Sequence, residues 1–307
     1  MTRHFLDLSD CGPEGIALIV RSATKGPGAI LHGQSVAMVF EKPSVRTRNS
    51  TEMAVVHLGG YPVMITDAEV GIDTRESSED IARTLACFHQ TIAARVRDHT
   101  SFHRMVTALE GQGSATNVIN LLSDYSHPCQ AIADMLTLAD EFGGIEGLQG
   151  KHMVYVGDAN NVARSLAQAS LALGCSITIC SPVGFQFDDP AVDAIGSFAR
   201  FGAKIYRSDD PVASAQDADA LYTDVWTSMG QEQEARIRRE ALANYSITEE
   251  LIAVASDGVI VLHCLPAHRG EEITDAALEG PHSRVWQQAK HRETAMYGIF
   301  AWLKEAI

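Results

Sequence analysis

Short apolar runs of strand length, ending in polar clusters and in several cases followed by a stretch of helical character, recur along the whole of this 307-residue chain. In the first half they are Val36 to Phe40, Tyr61 to Thr66, Thr91 to Val96 and Thr116 to Leu122. In the second they are His152 to Val156, Ser176 to Cys180, Ala203 to Arg207, Ala220 to Thr223 and Val259 to Leu262. Strands that alternate with helices pair in parallel through right-handed crossovers, so the pattern predicts an α/β chain of two doubly wound parallel-sheet domains. The length suits two domains of roughly 100–200 residues. Gly143-Gly144 closes the predicted helix Ala131 to Glu141 and sets the boundary near residue 140, giving domains 1–140 and 141–284 and a final helix from about Ser283 to Lys304.

In sheets of this kind ligands bind beyond the carboxyl ends of the strands, and the polar clusters sit there. The run Val36 to Phe40 leads into Ser44-Val45-Arg46-Thr47-Arg48 at a predicted helix start, where unpaired backbone N–H groups, two hydroxyls and two guanidinium groups form an anion site. The same residues also read as a capped helix with two solvated arginines. Arg95 ends the third strand, and His127-Pro128-Cys129-Gln130 opens a helix after the fourth. In the second half the clusters are Gly157-Asp158-Ala159-Asn160-Asn161, Asp224-Val225-Trp226-Thr227-Ser228-Met229-Gly230 and His263-Cys264-Leu265-Pro266, and the last helix carries Arg292. Taken singly, His127 reads as a structural histidine, Cys264 as an inert buried thiol, and Asp224 and Ser228 as helix caps. The loop Asp67 to Ser78 shows no apolar period and lies between a strand and a helix, where function concentrates.

Composition removes several classes of partner. A net charge of −15 without a continuous basic stripe argues against nucleic acid and anionic membranes. No apolar run reaches the ~18 residues of a membrane helix, and Met1-Thr2-Arg3-His4-Phe5 lacks a secretory apolar core, so a cytoplasmic location is expected. The six cysteines are scattered without C-x-x-C or Cys/His ligand spacing, which argues against a metal site or a disulfide framework. Val154-Tyr155-Val156-Gly157 opens like a dinucleotide motif but lacks G-x-G-x-x-G, and no G-x-x-x-x-G-K-[ST] loop is present.

Taken together and in order, Ser44-x-Arg46-Thr47-Arg48, His127-Pro128-Cys129-Gln130, Asp224-x-x-x-Ser228-Met229-Gly230 and His263-Cys264-Leu265-Pro266 resemble the carbamoyltransferase family, most closely its ornithine carbamoyltransferases. The resemblance covers nearly the whole chain. It implies that the first domain binds carbamoyl phosphate and the second the amino acid, with the last helix, 285–307, crossing back to the first domain. The implied reaction transfers the carbamoyl group to the δ-amine of L-ornithine, giving L-citrulline and phosphate in arginine biosynthesis, with no cofactor and no metal. The implied assembly is a homotrimer or a set of trimers. By similarity Ser44, Val45, Arg46 and Thr47 hold the phosphate, and Arg95, His127, Gln130 and Arg292 surround the carbamoyl group. Asn161, Asp224, Ser228 and Met229 hold ornithine, and Cys264 with Leu265 lines the reacting centre. Arg95, His127, Asp224 and Cys264 are then the catalytic residues.

Two stretches depart from the family pattern. Gly71-Ile72-Asp73 replaces a Gln-x-Gly ahead of Glu76-Ser77, and Thr294 and Met296 stand where a His and a Gln usually follow Arg292. With Gly71 offering only its backbone, Arg75 is the expected substitute contact for phosphate, carried on a flexible loop. These departures leave open a divergent carbamoyltransferase acting on a related amine, or a weakly catalytic homologue kept for binding or regulation.

Overall fold

The computed structural model describes residues 2–227 and 232–306. It divides into two compact units: residues up to Ala133 together with those from Arg292 onward, and Asp134–His291.

The first unit is built on β1 (Ser35–Phe40), β2 (Tyr61–Thr66), β3 (Thr91–Arg95) and β4 (Asn117–Leu122), all parallel, in the order β2-β1-β3-β4. Its helices are α1 (Gly12–Ala23), α2 (Val45–His57), α3 (Asp67–Val70), α4 (Ser78–Ala86), α5 (Thr100–Gly111) and the start of α6 (Pro128–Glu141). Strand β3 is buried at every position and β1 at all but its first, which is why both read as unbroken apolar runs. The edge strand β2 is partly or fully exposed throughout. Ala37, Val39, Ile92, Ala94 and Val118 from the strands pack with Phe102, Met105 and Leu109 of α5 and with Ile81 of α4.

The second unit carries β5 (His152–Val156), β6 (Ser176–Cys180), β7 (Ile205–Ser208), β8 (Ala220–Thr223) and β9 (Ile260–His263), again all parallel, in the order β7-β6-β5-β8-β9. Its helices are α7 (Asn161–Ala172), α8 (Asp189–Gly196), α9 (Pro211–Ala215), α10 (Ala235–Leu242), α11 (Glu249–Ala253), α12 (Asp275–Glu279) and the first part of α13 (Val285–Leu303). The parallel α/β class expected from the alternation is the one observed. No helix among the described residues is long and apolar enough to cross a membrane.

The structure adds to the sequence reading in three places. Helix α5 was not expected, although Phe102, Met105 and Leu109 fall at helical spacing and bury its inner face. Helices α10, α11 and α12 fill a region in which only β9 was expected. The loop after β2 is not without structure: it opens with α3 and buries Val70 and Ile72 in the core. Arg104 pairs with both oxygens of Asp73 at 2.8 and 2.9 Å, so this loop is pinned rather than free.

Helix α13 approaches α1 backbone to backbone at one point. A Cβ on Gly298 would lie 2.2 Å from the Ile19 carbonyl oxygen, a contact no side-chain rotation relieves. Gly298→Ala is therefore expected to cost about 1–3 kcal/mol of unfolding free energy, the usual penalty for overpacking. Denaturant titration of both proteins checks this, and unchanged stability would mean the two helices separate freely.

Candidate functional site

Strand order decides where each cluster of polar side chains can gather. In the first sheet β1 has β2 on one side and β3 on the other, so the chain reverses its direction of addition between β1 and β3 and leaves a crevice at their carboxyl ends. The register pairs Phe40 with Arg95, which puts the exit of β1 and the arginine ending β3 side by side. Ser44 then caps α2: its hydroxyl oxygen accepts from the Thr47 N–H at 3.4 Å, and its own proton goes to Thr47 Oγ1 at 3.0 Å.

Arg292, from the part of α13 that belongs to this unit, completes the cluster. It is buried and donates to Thr47 Oγ1 at 2.8 Å and to Gln130 Oε1 at 2.5 Å. Thr47 Oγ1 thus accepts twice, which leaves its own proton for a further acceptor. Gln130 lies in the first turn of α6, three residues after His127. Burial, then the charges of Arg292 and Arg95, push the His127 imidazole well below its ordinary range, so the ring is neutral. Arg46 is half-buried beside the α2 N-terminus and has no hydrogen bond or ion pair among the described residues. Arg48 points elsewhere: it is exposed and pairs with Glu52 at 3.0 Å, one turn along α2. Val45 is 75% exposed and contributes its backbone at the first helical position. Arg75 donates to the Glu69 carbonyl at 3.2 Å on the exposed side of the α3 loop.

The second sheet repeats the reversal between β5 and β8. Here the register pairs Tyr155 with Tyr222 and Thr223 with His263, so Asp224 emerges between the exits of β5 and β9. Gly157 turns the chain at the end of β5 with φ 144°, a value that side-chain-bearing residues avoid. Asn160 caps α7, its Oδ1 accepting from the N–H groups of Val162 and Ala163, while its amide donates to Asp224 Oδ2 at 2.9 Å. Asp224 Oδ1 accepts from the Cys264 thiol at 2.9 Å and from the Val225 N–H at 2.8 Å. A carboxylate has about four acceptor positions; three are taken among the described residues, and the one remaining belongs to Oδ2. Asn161 is the neighbour of the capping residue, its Oδ1 accepting from the Val162 N–H. Leu265 follows Cys264 with φ 59°. Ser228 and Met229 lie outside the described residues.

The sequence reading named Asn161 for the amino acid and assigned no role to Asn160, whose amide touches Asp224. It also missed Arg238 of α10, which donates to Asp158 at 2.7 Å and stacks over Phe185. The doubled asparagine ahead of an apolar helix was a readable cap signal for the first; nothing local marked the second. Asp224, His263 and Cys264 each offer an atom within 4.8 Å of the others, and so do His268, Glu271 and Glu272. In the first trio the thiol donates to Asp224 and both imidazole nitrogens are engaged; in the second, Glu271 pairs with Arg239.

Two parallel α/β units, one with a cluster of arginine and hydroxyl side chains at its switch point and one with a buried carboxylate at the same place, define a doubly wound α/β protein of two units. The comparisons narrow this to one family. A family model described as "Aspartate/ornithine carbamoyltransferase, carbamoyl-P binding domain" matches residues 3–140, and its companion "Asp/Orn binding domain" matches residues 149–303. The ornithine carbamoyltransferase of Acidothermus cellulolyticus is 42% identical, across 100% of this chain and 98% of that protein. The anabolic ornithine carbamoyltransferase of Pyrococcus furiosus is 40% identical, over 97% of this chain and 95% of that one. A solved structure of ornithine carbamoyltransferase from Pyrococcus furiosus superposes with a TM-score of 0.91 at 38% identity, covering 100% and 98% of the two chains. The chain belongs to the aspartate/ornithine carbamoyltransferase family.

A depressed imidazole has a stability consequence of definite sign. Below pH 6.5, the ordinary histidine value, the unfolded chain gains a proton at His127 that the folded protein does not, so stability falls as pH falls. One such group contributes a slope of up to about 1.36 kcal/mol per pH unit. His127→Gln is expected to flatten the loss between pH 7.5 and 5.5 relative to the parent, measured by denaturant titration at each pH. Parallel curves would mean that His127 takes up its proton equally in the folded and unfolded states, contrary to a depressed imidazole.

Proposed function

We propose that this protein is a carbamoyltransferase that moves the carbamoyl group of carbamoyl phosphate onto the δ-amine of L-ornithine, yielding L-citrulline and phosphate for arginine biosynthesis. The observation that carries ornithine rather than aspartate is the surrounding of Asp224. A buried carboxylate with one acceptor position left attracts a cationic side chain and repels an acidic one. The family membership and the full-length relatives agree with this reading.

In this account residues 1–140, with 285–307, form the carbamoyl-phosphate domain and 141–284 the ornithine domain. Ser44, Val45, Arg46 and Thr47 receive the phosphate through hydroxyl, guanidinium and backbone N–H donors. Arg95, His127, Gln130 and Arg292 surround the carbamoyl group. As the amine attacks, negative charge grows on the carbonyl oxygen, and fixed donors that need no rearrangement at that moment lower the barrier. The Thr47 proton, the neutral His127 ring and the two buried guanidinium groups are donors of that kind. The amine must be neutral to attack, and Asp224, with Cys264 beside it, accepts a proton-bearing face of the δ-nitrogen and orients its lone pair. Asn161, Ser228 and Met229 hold the rest of the amino acid, and Leu265 lines the reacting centre.

The trimeric assembly belongs to the same proposal. Met53 and Val56 of α2, and Tyr61 and Val63 of the edge strand β2, are large apolar side chains exposed in the first unit, which suits contact with another copy. A cytoplasmic location completes the reading. The altered loop after β2 and the residues following Arg292 favour testing related amines beside ornithine.

Citrulline formation measured with ornithine and a panel of amines tests the proposal; turnover of another amine in preference to ornithine would overturn it. Arg46→Ala is expected to weaken carbamoyl phosphate binding about 10- to 150-fold without loss of fold, the effect of removing hydrogen bonds to a charged group. Asp224→Asn should weaken ornithine and leave carbamoyl phosphate binding intact. Equal losses for both ligands would instead report a damaged fold.

A further inference from the structure

Behind the Cys264–Asp224 contact lies a fully buried pair that none of the roles above uses. The side chains of His263 and Glu272 are both at 0% exposure, with His263 Nε2 3.0 Å from Glu272 Oε1. The other ring nitrogen, Nδ1, accepts the backbone N–H of Leu265 at 2.8 Å. Leu265 is held at φ 59°, a left-handed conformation that costs an L-residue energy and persists only when its surroundings impose it.

The two contacts together fix one tautomer. Because Nδ1 faces a donor it carries no proton, so the ring proton sits on Nε2 and needs a buried acceptor, which Glu272 Oε1 provides. The same oxygen accepts the His268 N–H at 2.6 Å, and Oε2 has no hydrogen-bond partner among the described residues. A buried carboxylate satisfied on one side only is costly, which argues that it is kept for what it does to the ring. The His263 backbone is tied down as well, its N–H donating to Gln288 Oε1 at 2.9 Å.

We propose that His263 and Glu272 are positioning residues for the carbamoyl transfer. Glu272 sets the His263 tautomer, His263 holds Leu265 in its left-handed conformation, and the fixed Leu265 keeps the Cys264 thiol on Asp224 Oδ1. Release of Leu265 lets the thiol leave Asp224 and blurs the single acceptor position that meets the amine. The inference deepens the ornithine carbamoyltransferase reading and rests on it.

The pair His263→Asn and His263→Leu separates positioning from packing. The Asn carbonyl oxygen branches from Cγ as Nδ1 does, so it offers Leu265 an acceptor at the same reach; Leu offers none. Both variants remove the Nε2 proton and leave Glu272 equally short of a partner. With citrulline formation as the readout, kcat/KM for ornithine is expected to be on the order of 10- to 100-fold lower in His263→Leu than in His263→Asn, the change set by one lost hydrogen bond. Carbamoyl phosphate affinity should match between the two, and both should remain folded at the assay temperature. Equal kcat/KM in both, or activity that merely follows the thermal midpoint, would overturn the inference. Should neither variant fold, ¹⁵N spectra of the parent's imidazoles decide: a ring protonated at Nε2 alone supports the proposal, and a proton on Nδ1 contradicts it. A parent that makes no citrulline sinks the proposed function, while the same spectra still judge the tautomer.

Discussion

Both units depend on one constraint of parallel sheets: a strand added on the far side of the first strand reverses the winding and leaves the exits of two neighbouring strands uncovered. In the first unit those are the exits of β1 and β3, in the second those of β5 and β8. The pairing of Phe40 with Arg95, and of Thr223 with His263, then determines which side chains can meet. Chemistry that needs an arginine beside a helix N-terminus, or a thiol beside a carboxylate, is obtained from register alone.

What register brings together, hydrogen bonding then immobilises. In the first unit Arg292 ties α13 to the start of α2 and to the first turn of α6. In the second, Asp224 is met by a helix-capping amide, a backbone N–H and a thiol, so its charge is held in place with one acceptor position left. Buried charges are tolerated only when satisfied in this way, and the same satisfaction pre-organises them for a ligand. The neutral state of His127 follows from the same crowding, since a third positive charge beside Arg95 and Arg292 in a buried place is disfavoured.

Much of this was legible in the residues. Val36 to Phe40 and Thr91 to Arg95 read as strands because burial on both faces demands unbroken apolar runs, and Ser44 declared its helix by being a hydroxyl residue at a strand exit. The family motifs pointed to Asp224 and Cys264, but their contact spans 40 residues and exists only through the β8–β9 register, which no local pattern encodes. The contact of Asn160 with Asp224 was equally hidden. Two adjacent amides are chemically alike, and the one with extended backbone, φ −96° and ψ −169°, becomes the cap. The loop after β2 looked structureless because only Val70 and Ile72 anchor it, too few to make a period, and its tie to Arg104 comes from a helix far along the chain. His263 was read only as part of a motif and Glu272 was not read at all, since a buried histidine and a glutamate nine residues later carry no spacing signature.

The central claim is that the anion belongs at the β1/β3 exits and the amine at Asp224. A crystal structure with a non-transferable phosphonate analogue of carbamoyl phosphate and L-ornithine tests it most directly. The account predicts the phosphonate on the α2 N-terminus, within hydrogen-bond distance of Ser44, Arg46 and Thr47, and the ornithine side-chain nitrogen against Asp224 Oδ2. A phosphonate bound away from Ser44–Thr47, or an ornithine whose side-chain nitrogen lies remote from Asp224, would contradict it.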